Sequence, residues 1–164
     1  DSIDYPPRTA DLHHEIEMVV AIGKNGANIS PDSALEHVFG YAVGIDLTRR
    51  DLQGEAKKLG RPWDTAKGFD QSAPISPIHT VADVGHPTSG RIWLALNDEI
   101  RQLGDLNELI WGVDEAIVEL STLYELKQGD LLFTGTPAGV GAVDRGDRLS
   151  GGIDGIDEIA ITIK

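Results

Sequence analysis

Between residues 13 and 23 the chain reads His-His-Glu-Ile-Glu-Met-Val-Val-Ala-Ile-Gly, polar and apolar positions alternating before they merge into an unbroken apolar run. A strand repeats its side-chain direction every second residue, so Ile16, Met18, Val20 and Ile22 share one face and Glu15, Glu17, Val19 and Ala21 the other. The pattern predicts a strand on which two carboxylates project together. Adjacent carboxylates repel, and a buried or half-buried strand accepts them only with something cationic between them. Periodicity alone leaves two readings level: a solvent-facing edge strand with a core behind it, or a divalent metal site.

Further along, Ser30-Pro31 offers an N-cap followed by proline at the first helical position, which predicts two helical turns over 31–38. Residues 41–47 read as a strand of apolar and small residues that delivers Asp46 to its end, and 52–59 as a short helix stopped by Gly60 and Pro62. Residues 63–77 carry loop chemistry with Lys67 in the middle, and loops of that length in a compact fold tend to carry function. Residues 91–96 and 99–103 flank Asn97-Asp98, a two-residue link that closes hairpins. Apolar positions at Val113, Ile117, Val118, Leu120 and Leu123 predict an amphipathic helix over 113–123. A short buried strand at 131–133, a glycine-rich loop at 134–141 and a period-two strand at 158–164 complete the chain. Residues 1–9, with Pro6 beside Pro7 and no periodicity, read as extended loop, an unusual opening that suggests further residues upstream.

A length of 164 residues suits one domain with a real core. Nineteen glycines, few aromatics and short helical patterns point to a turn-rich fold, mixed or mainly β. No apolar run approaches the length of a membrane span and no basic-then-apolar leader is present, so a soluble, untargeted chain is expected. The absence of cysteine excludes disulfides and thiolate chemistry, fits a reducing compartment, and leaves oxygen and imidazole as ligands. A formal charge of −13 argues against nucleic acid or an anionic membrane as partner. The charge is uneven, however: Arg49, Arg50, Lys57, Lys58, Arg61 and Lys67 crowd one segment, which would suit a small anionic substrate.

Asp46 adds a third carboxylate to Glu15 and Glu17, an oxygen-rich set suited to Mg²⁺ or Mn²⁺ with waters or substrate completing the shell. His13 and His14 are candidate ligands, but beside carboxylates such histidines more often support the ligands or lie on the surface. Lys67 reads as a solvated lysine or, from its place in the long loop, an anion contact. Arg50 and Gln53 lie three apart, so they could share a helix face and grip one planar carboxylate, or be simply exposed. The loop at 134–141 lacks the Lys-Ser/Thr ending of a phosphate loop and no helical pattern follows it. A turn whose backbone amides and Thr136 hydroxyl hold a carboxylate is the better reading. No Ser/His/Asp order is evident.

Taken together, His14-Glu15-Ile16-Glu17, Gly44-Ile45-Asp46-Leu47-Thr48-Arg49-Arg50-Asp51-Leu52-Gln53, Lys67-Gly68-Phe69-Asp70 and Thr134-Gly135-Thr136-Pro137-Ala138-Gly139-Val140-Gly141 resemble the fumarylacetoacetate hydrolase superfamily. The four motifs occur in order over nearly the whole chain, and with Gly60-Arg61-Pro62-Trp63-Asp64 they look most like the acylpyruvate branch, the fumarylpyruvate hydrolases of the gentisate route in particular. The resemblance implies an α+β, mainly β fold, a mixed β-sandwich or β-roll with short helices, in a cytoplasmic homodimer. It implies Mg²⁺ or Mn²⁺ on Glu15, Glu17 and Asp46, with Arg50, Gln53 and Lys67 lining the pocket of a small anionic 2-oxoacid. Thr136 would contact the substrate carboxylate, and Lys67 would meet the negative charge that develops on cleavage of a 3-acylpyruvate to pyruvate and an acid. The family's general-base histidine and its acidic partner lie on a lid upstream of the Glu-x-Glu strand, so residues 1–164 are expected to form one catalytic domain without that lid segment. Oxaloacetate decarboxylation and isomerisation or hydration of a 2-oxo-alkenoate are the alternatives within the superfamily, and a non-catalytic metal- and oxoacid-binding module is the alternative outside it.

Overall fold

In the computed structural model, which describes residues 1–164, the run from His13 to Ile22 is two strands with a break at Glu15. In chain order the strands are β1 (Ser2–Ile3), β2 (Leu12–His14), β3 (Ile16–Ile22), β4 (Val38–Ile45), β5 (Thr48–Arg49), β6 (His79–Thr80), β7 (Arg91–Leu96), β8 (Glu99–Asp105), β9 (Leu131–Phe133), β10 (Gly141–Val143), β11 (Arg148–Ile153) and β12 (Asp157–Ile163). The α-helices are α1 (Arg50–Leu59), α2 (Asp64–Lys67), α3 (Val81–Val84) and α4 (Val113–Leu123), with 3₁₀ turns at Pro31–His37 and Leu106–Glu108.

Three sheets result, with strand orders β1-β12-β11-β7-β8, β10-β2-β5 and β6-β4-β3-β9. The even-numbered face of β3 (Ile16, Met18, Val20, Ile22) joins Val43 and Ile45 of β4 and packs on Ile92 and Leu94 of β7, Leu149 of β11 and Ile161 of β12, all buried. This is a sandwich of sheets around one apolar layer, the mainly β architecture with short helices that the chain's composition and motifs suggest. Each fully buried aliphatic side chain in it contributes about 1.5–3 kcal/mol of transfer free energy. β3 is an interior strand, paired on its two edges with β4 and β9, and every residue from Ile16 to Ile22 is buried. The edge-strand reading of the glutamates therefore fails. No helix is long and apolar enough to cross a membrane.

Local signals place most elements well. Gly60 closes α1 in the left-handed region at φ 61°, and Asn97 and Asp98 take φ 51° and 67° between β7 and β8, as a two-residue hairpin turn requires. Four expectations change. The strand at 131–133 forms but is not buried, because β9 lies at the edge of its sheet, with Leu131 exposed and Leu132 and Phe133 half-buried. The helical stretch after Ser30 is 3₁₀ and stops at His37 rather than reaching residue 38, because Val38 already pairs with Ile22 in β4. The long loop at 63–77 contains α2 and then lies along β4, where Ile45 N–H donates to Pro74 O at 3.0 Å and Ser76 N–H to Val43 O at 2.8 Å. Residues 1–9 are not simply loop: β1 pairs parallel with β12, and Tyr5 N–H donates to Lys164 O at 3.0 Å. A two-residue strand is too short to show a period.

Candidate metal centre

The break between β2 and β3 places Glu15 where the chain leaves one sheet for another. Antiparallel pairing of β3 with β4 sets Ile16 opposite Ile45, so the next residue on each side brings Glu15 beside Asp46, and Asp46 N–H donates to Glu15 O at 2.8 Å. Glu17 lies opposite Gly44, where an added Cβ would sit 2.5 Å from Val19 Cγ2. The face that carries Glu17 is thus kept clear of a larger side chain. The structure brings together one carboxylate oxygen each from Glu15, Glu17 and Asp46 within 4.8 Å of one another, Glu17 being only 4 % exposed.

Two cations face this trio. Arg50, at the start of α1, donates through one guanidinium nitrogen to Glu15 Oε1 at 2.5 Å and through another to Gln53 Oε1 at 2.7 Å. Lys67, at the end of α2, donates to Glu15 Oε2 at 2.9 Å and to Asp46 Oδ2 at 2.5 Å. The basic segment therefore turns Arg50 and Lys67 inward, and the carboxylate that Arg50 holds is the protein's own. Lys67 is no plain surface lysine.

The three carboxylates respond differently. Burial works against the charged form of Glu15, but the hydrogen bonds and charges of Lys67 and Arg50 outweigh it and hold the carboxyl below its usual range. Burial pushes Glu17 up to about 7, offset in part by the Gly135 N–H and reinforced by the charges of Asp46 and Glu15. Burial also raises Asp46, against the hydrogen bond from Lys67. A buried carboxylate short of positive charge, with two more oxygens in reach, is a donor set that a hard divalent cation satisfies. Glu15, Glu17 and Asp46 fit Mg²⁺ or Mn²⁺.

Neither histidine joins the trio. His13 Nε2 is 2.9 Å from Asp11 Oδ1, and His14 is fully buried with Nδ1 2.8 Å from Gln102 Oε1. The glycine-rich loop does hold a carboxylate, but it is Glu17's: Gly135 N–H donates to Glu17 Oε2 at 2.7 Å. The Thr136 hydroxyl donates to Ile16 O at 2.7 Å and accepts from Gln102 Nε2 at 2.8 Å. Glycine is needed in this loop for packing as well. At Gly139, φ 101°, a Cβ would stand 2.1 Å from Arg101 O. A cavity of about 320 Å³ lies against this turn, lined by Met18, Leu109, Trp111, Gly135, Thr136 and Pro137 among others; none of the three carboxylates lines it, but the Gly135 that holds Glu17 does. Gln102 gave no sign in the sequence, because its burial depends on a β-bulge that no local pattern announces.

All 164 residues match the family model described as fumarylacetoacetate (FAA) hydrolase C-terminal. The chain belongs to the fumarylacetoacetate hydrolase family. It is 47 % identical over 162 residues to a fumarylpyruvate hydrolase of Ralstonia sp., covering 99 % of this chain and 84 % of that one. It is 39 % identical over 159 residues to a mitochondrial oxaloacetate tautomerase of Mus musculus, covering 97 % and 72 %. A crystal structure of fumarylpyruvate hydrolase from Pseudomonas aeruginosa in complex with Mn²⁺ and pyruvate superposes with a TM-score of 0.97 at 51 % identity, over 99 % of this chain and 70 % of that one. The fold expected of a family member is thus the fold observed.

Proposed function

We propose that residues 1–164 form one catalytic domain that hydrolyses the carbon–carbon bond of a 3-acylpyruvate, fumarylpyruvate giving fumarate and pyruvate, with Mg²⁺ or Mn²⁺ on Glu15, Glu17 and Asp46. The observation that carries this reading is the trio of oxygen donors, two buried and one half-buried, bordered by Arg50 and Lys67. Pyruvate and Mn²⁺ in the P. aeruginosa relative, and the names of the relatives themselves, support it. When bound, the ion supplies Lewis-acid polarisation of the substrate's 2-oxo group.

The chain's own groups account for the rest of binding. An ammonium has three protons, and Lys67 commits two of them to Glu15 and Asp46. Its third is free for a substrate oxygen on which negative charge grows as the bond breaks, where a fixed cation stabilises the transition state more than the ground state. Arg50, steadied by Glu15 and Gln53, adds positive charge for a 1-carboxylate, and the nearly buried Gln53 closes that side. Thr136, next to the Gly135 that holds Glu17, would meet the substrate carboxylate from this turn; without substrate its hydroxyl donates to Ile16 O and accepts from Gln102 Nε2.

Pyruvate release from fumarylpyruvate by the Mg²⁺-loaded protein is the direct test. Excess chelator or Asp46→Ala should abolish it, and undiminished release under either condition would sink the proposal. A second reading rests on the 39 % identity to an oxaloacetate tautomerase: the same site would interconvert the enol and keto forms of oxaloacetate. Rates on fumarylpyruvate, maleylpyruvate, acetylpyruvate and oxaloacetate, measured side by side, separate the two. The proposal also takes the protein as a cytoplasmic homodimer serving gentisate breakdown, and sedimentation velocity checks the dimer.

A further inference from the structure

Between β7 and β8 the register pairs Leu94 with Gln102 and then Ala95 with Ile100, which leaves Arg101 as the extra residue of a β-bulge. The bulge turns Gln102 to the same side as the buried Leu94, and Gln102 is 0 % exposed. Its amide makes all four of the hydrogen bonds that an amide can make. Oε1 lies 2.8 Å from His14 Nδ1 and accepts from Ile16 N–H at 3.1 Å, while Nε2 donates to Thr136 Oγ1 at 2.8 Å and to Pro137 O at 2.9 Å. The orientation is forced. A flipped amide would set NH₂ against the Ile16 N–H and oxygen against the Pro137 carbonyl. With Oε1 as acceptor, His14 must carry its proton on Nδ1.

Two of these bonds lead to one residue, Ile16. Ile16 N–H belongs to the peptide unit after Glu15, and Ile16 C=O to the unit before Glu17. Gln102 holds the first directly and the second through the Thr136 hydroxyl, which donates to Ile16 O at 2.7 Å. Both peptide planes that aim the two carboxylates are thereby fixed from a strand of the opposite sheet. Through Pro137 the same amide also anchors the turn whose Gly135 N–H holds Glu17. A buried polar group on an apolar layer is costly unless every one of its bonds is made, and here each bond ends on the frame of the carboxylates.

We propose that Gln102 is a positioning residue for the metal site: it sets the mutual aim of Glu15 and Glu17 by clamping the two peptide units of Ile16 and the turn behind them. The proposal rests on the reading of the carboxylate trio as a metal site. The test is Mn²⁺ affinity of the full chain, read from free Mn²⁺ by electron paramagnetic resonance, in wild type, Gln102→Met and Leu94→Ala. Gln102→Met keeps length and bulk but loses all four bonds, and its Mn²⁺ Kd should rise about 10–100-fold, the size seen when groups that orient metal ligands are removed. Its Ile16 amide should also exchange faster. Leu94→Ala destabilises the same core from the paired position and should leave Kd within about threefold, because it touches no bond of this network. Equal affinity in Gln102→Met and wild type, or an equal loss in Leu94→Ala, overturns the positioning role and leaves the metal reading standing. A wild type that binds no Mn²⁺ overturns both. Should Gln102→Met not fold, Thr136→Val removes both bonds of the relay from Gln102 Nε2 to Ile16 O and leaves the other three bonds of the amide in place; a several-fold weaker Kd supports the clamp and an unchanged one overturns it.

Discussion

Glu15 and Glu17 stand two residues apart on one stretch of chain, yet they are held by different parts of the protein and their acidities move in opposite directions. Glu15 is gripped by side-chain cations, Arg50 and Lys67, from two helices that follow Asp46 in the chain, and its carboxyl is held low. Glu17 is deeper, its one hydrogen bond comes from the backbone N–H of Gly135, and burial carries it up to about 7. One side of the site is therefore an ion-pair network that is largely balanced as it stands. The other is a rigid, under-neutralised carboxylate fixed by a turn. The contrast shows how such a site can be both preformed and receptive: the balanced side gives it its shape, and the unbalanced side supplies the demand for a cation.

The largest expected effect comes from breaking the ionic side at the group that also faces substrate. Lys67→Met removes both ion pairs and the free ammonium proton, and kcat for pyruvate release should fall by about 10²–10³, as for loss of one preorganised electrostatic donor. If kcat held and only KM rose, Lys67 would be a binding group alone. Next is the turn side, which can be broken without touching a carboxylate. Gly139→Ala forces a Cβ to within 2.1 Å of Arg101 O at φ 101°, so the 134–141 loop must lift from β8. A loss of about 2–3 kcal/mol in denaturant unfolding is expected, together with weaker Mn²⁺ binding as Gly135 shifts from Glu17.

A third pair of substitutions sharpens the contrast by sign. In metal-free protein Glu15→Gln removes the charge that balances Arg50 and one of the two that balance Lys67, and should lower stability by about 1–2 kcal/mol, the figure discounted because both cations are about a quarter exposed. Glu17→Gln removes a buried, poorly neutralised charge while its amide oxygen still accepts from Gly135, and should raise metal-free stability by about 1 kcal/mol. Both should abolish tight Mn²⁺ binding. Thermal melts with chelator present check the signs, and matching signs would show that the two carboxylates are held alike.

The carboxylate trio was legible as a set of candidates, because alternation put Glu15 and Glu17 on one face and a nearly all-apolar strand isolated Asp46 at its end; periodicity alone left an edge strand and a metal site level, and the family motifs separated them. Arg50 and Gln53 were legible from helical spacing, and Lys67 from an unusually long connection. What could not be read was the second half of the construction. That Gly135 serves Glu17, 118 residues away in sequence, depends on the pairing of β3 with β9. That Gln102 is buried among polar partners depends on a bulge in a hairpin strand whose other residues are mostly exposed. Alternation also placed Glu15 on a continuous strand, whereas the chain changes sheet there. A change of sheet is decided by which neighbours are available, which no window of a dozen residues contains. Among the histidines, His14 looked like a ligand candidate because it borders Glu15, and its fate was set by Gln102, 88 residues away.

The smallest effect lies at a hydrogen-bonded histidine–carboxylate contact away from the site, where the logic of Glu15 recurs without its burial. His79 of β6 and Asp157 of β12 join two sheets, Nε2 to Oδ2 at 2.8 Å, with both side chains about a third exposed. The hydrogen bond from His79 holds the Asp157 carboxyl below its usual range, with burial acting weakly the other way and the Glu158 N–H assisting. A carboxyl with a depressed folded-state pKa contributes stability that is present above its unfolded value and is lost as pH falls through the folded one. The unfolding free energy of wild type and Asp157→Asn should therefore differ by a few tenths of a kcal/mol at neutral pH and converge below about pH 3. Mn²⁺ affinity should be the same in both. A difference that persisted in strong acid would mean that Asp157 acts through packing rather than charge, and an altered affinity would mean that the sheet junction and the metal centre are mechanically one.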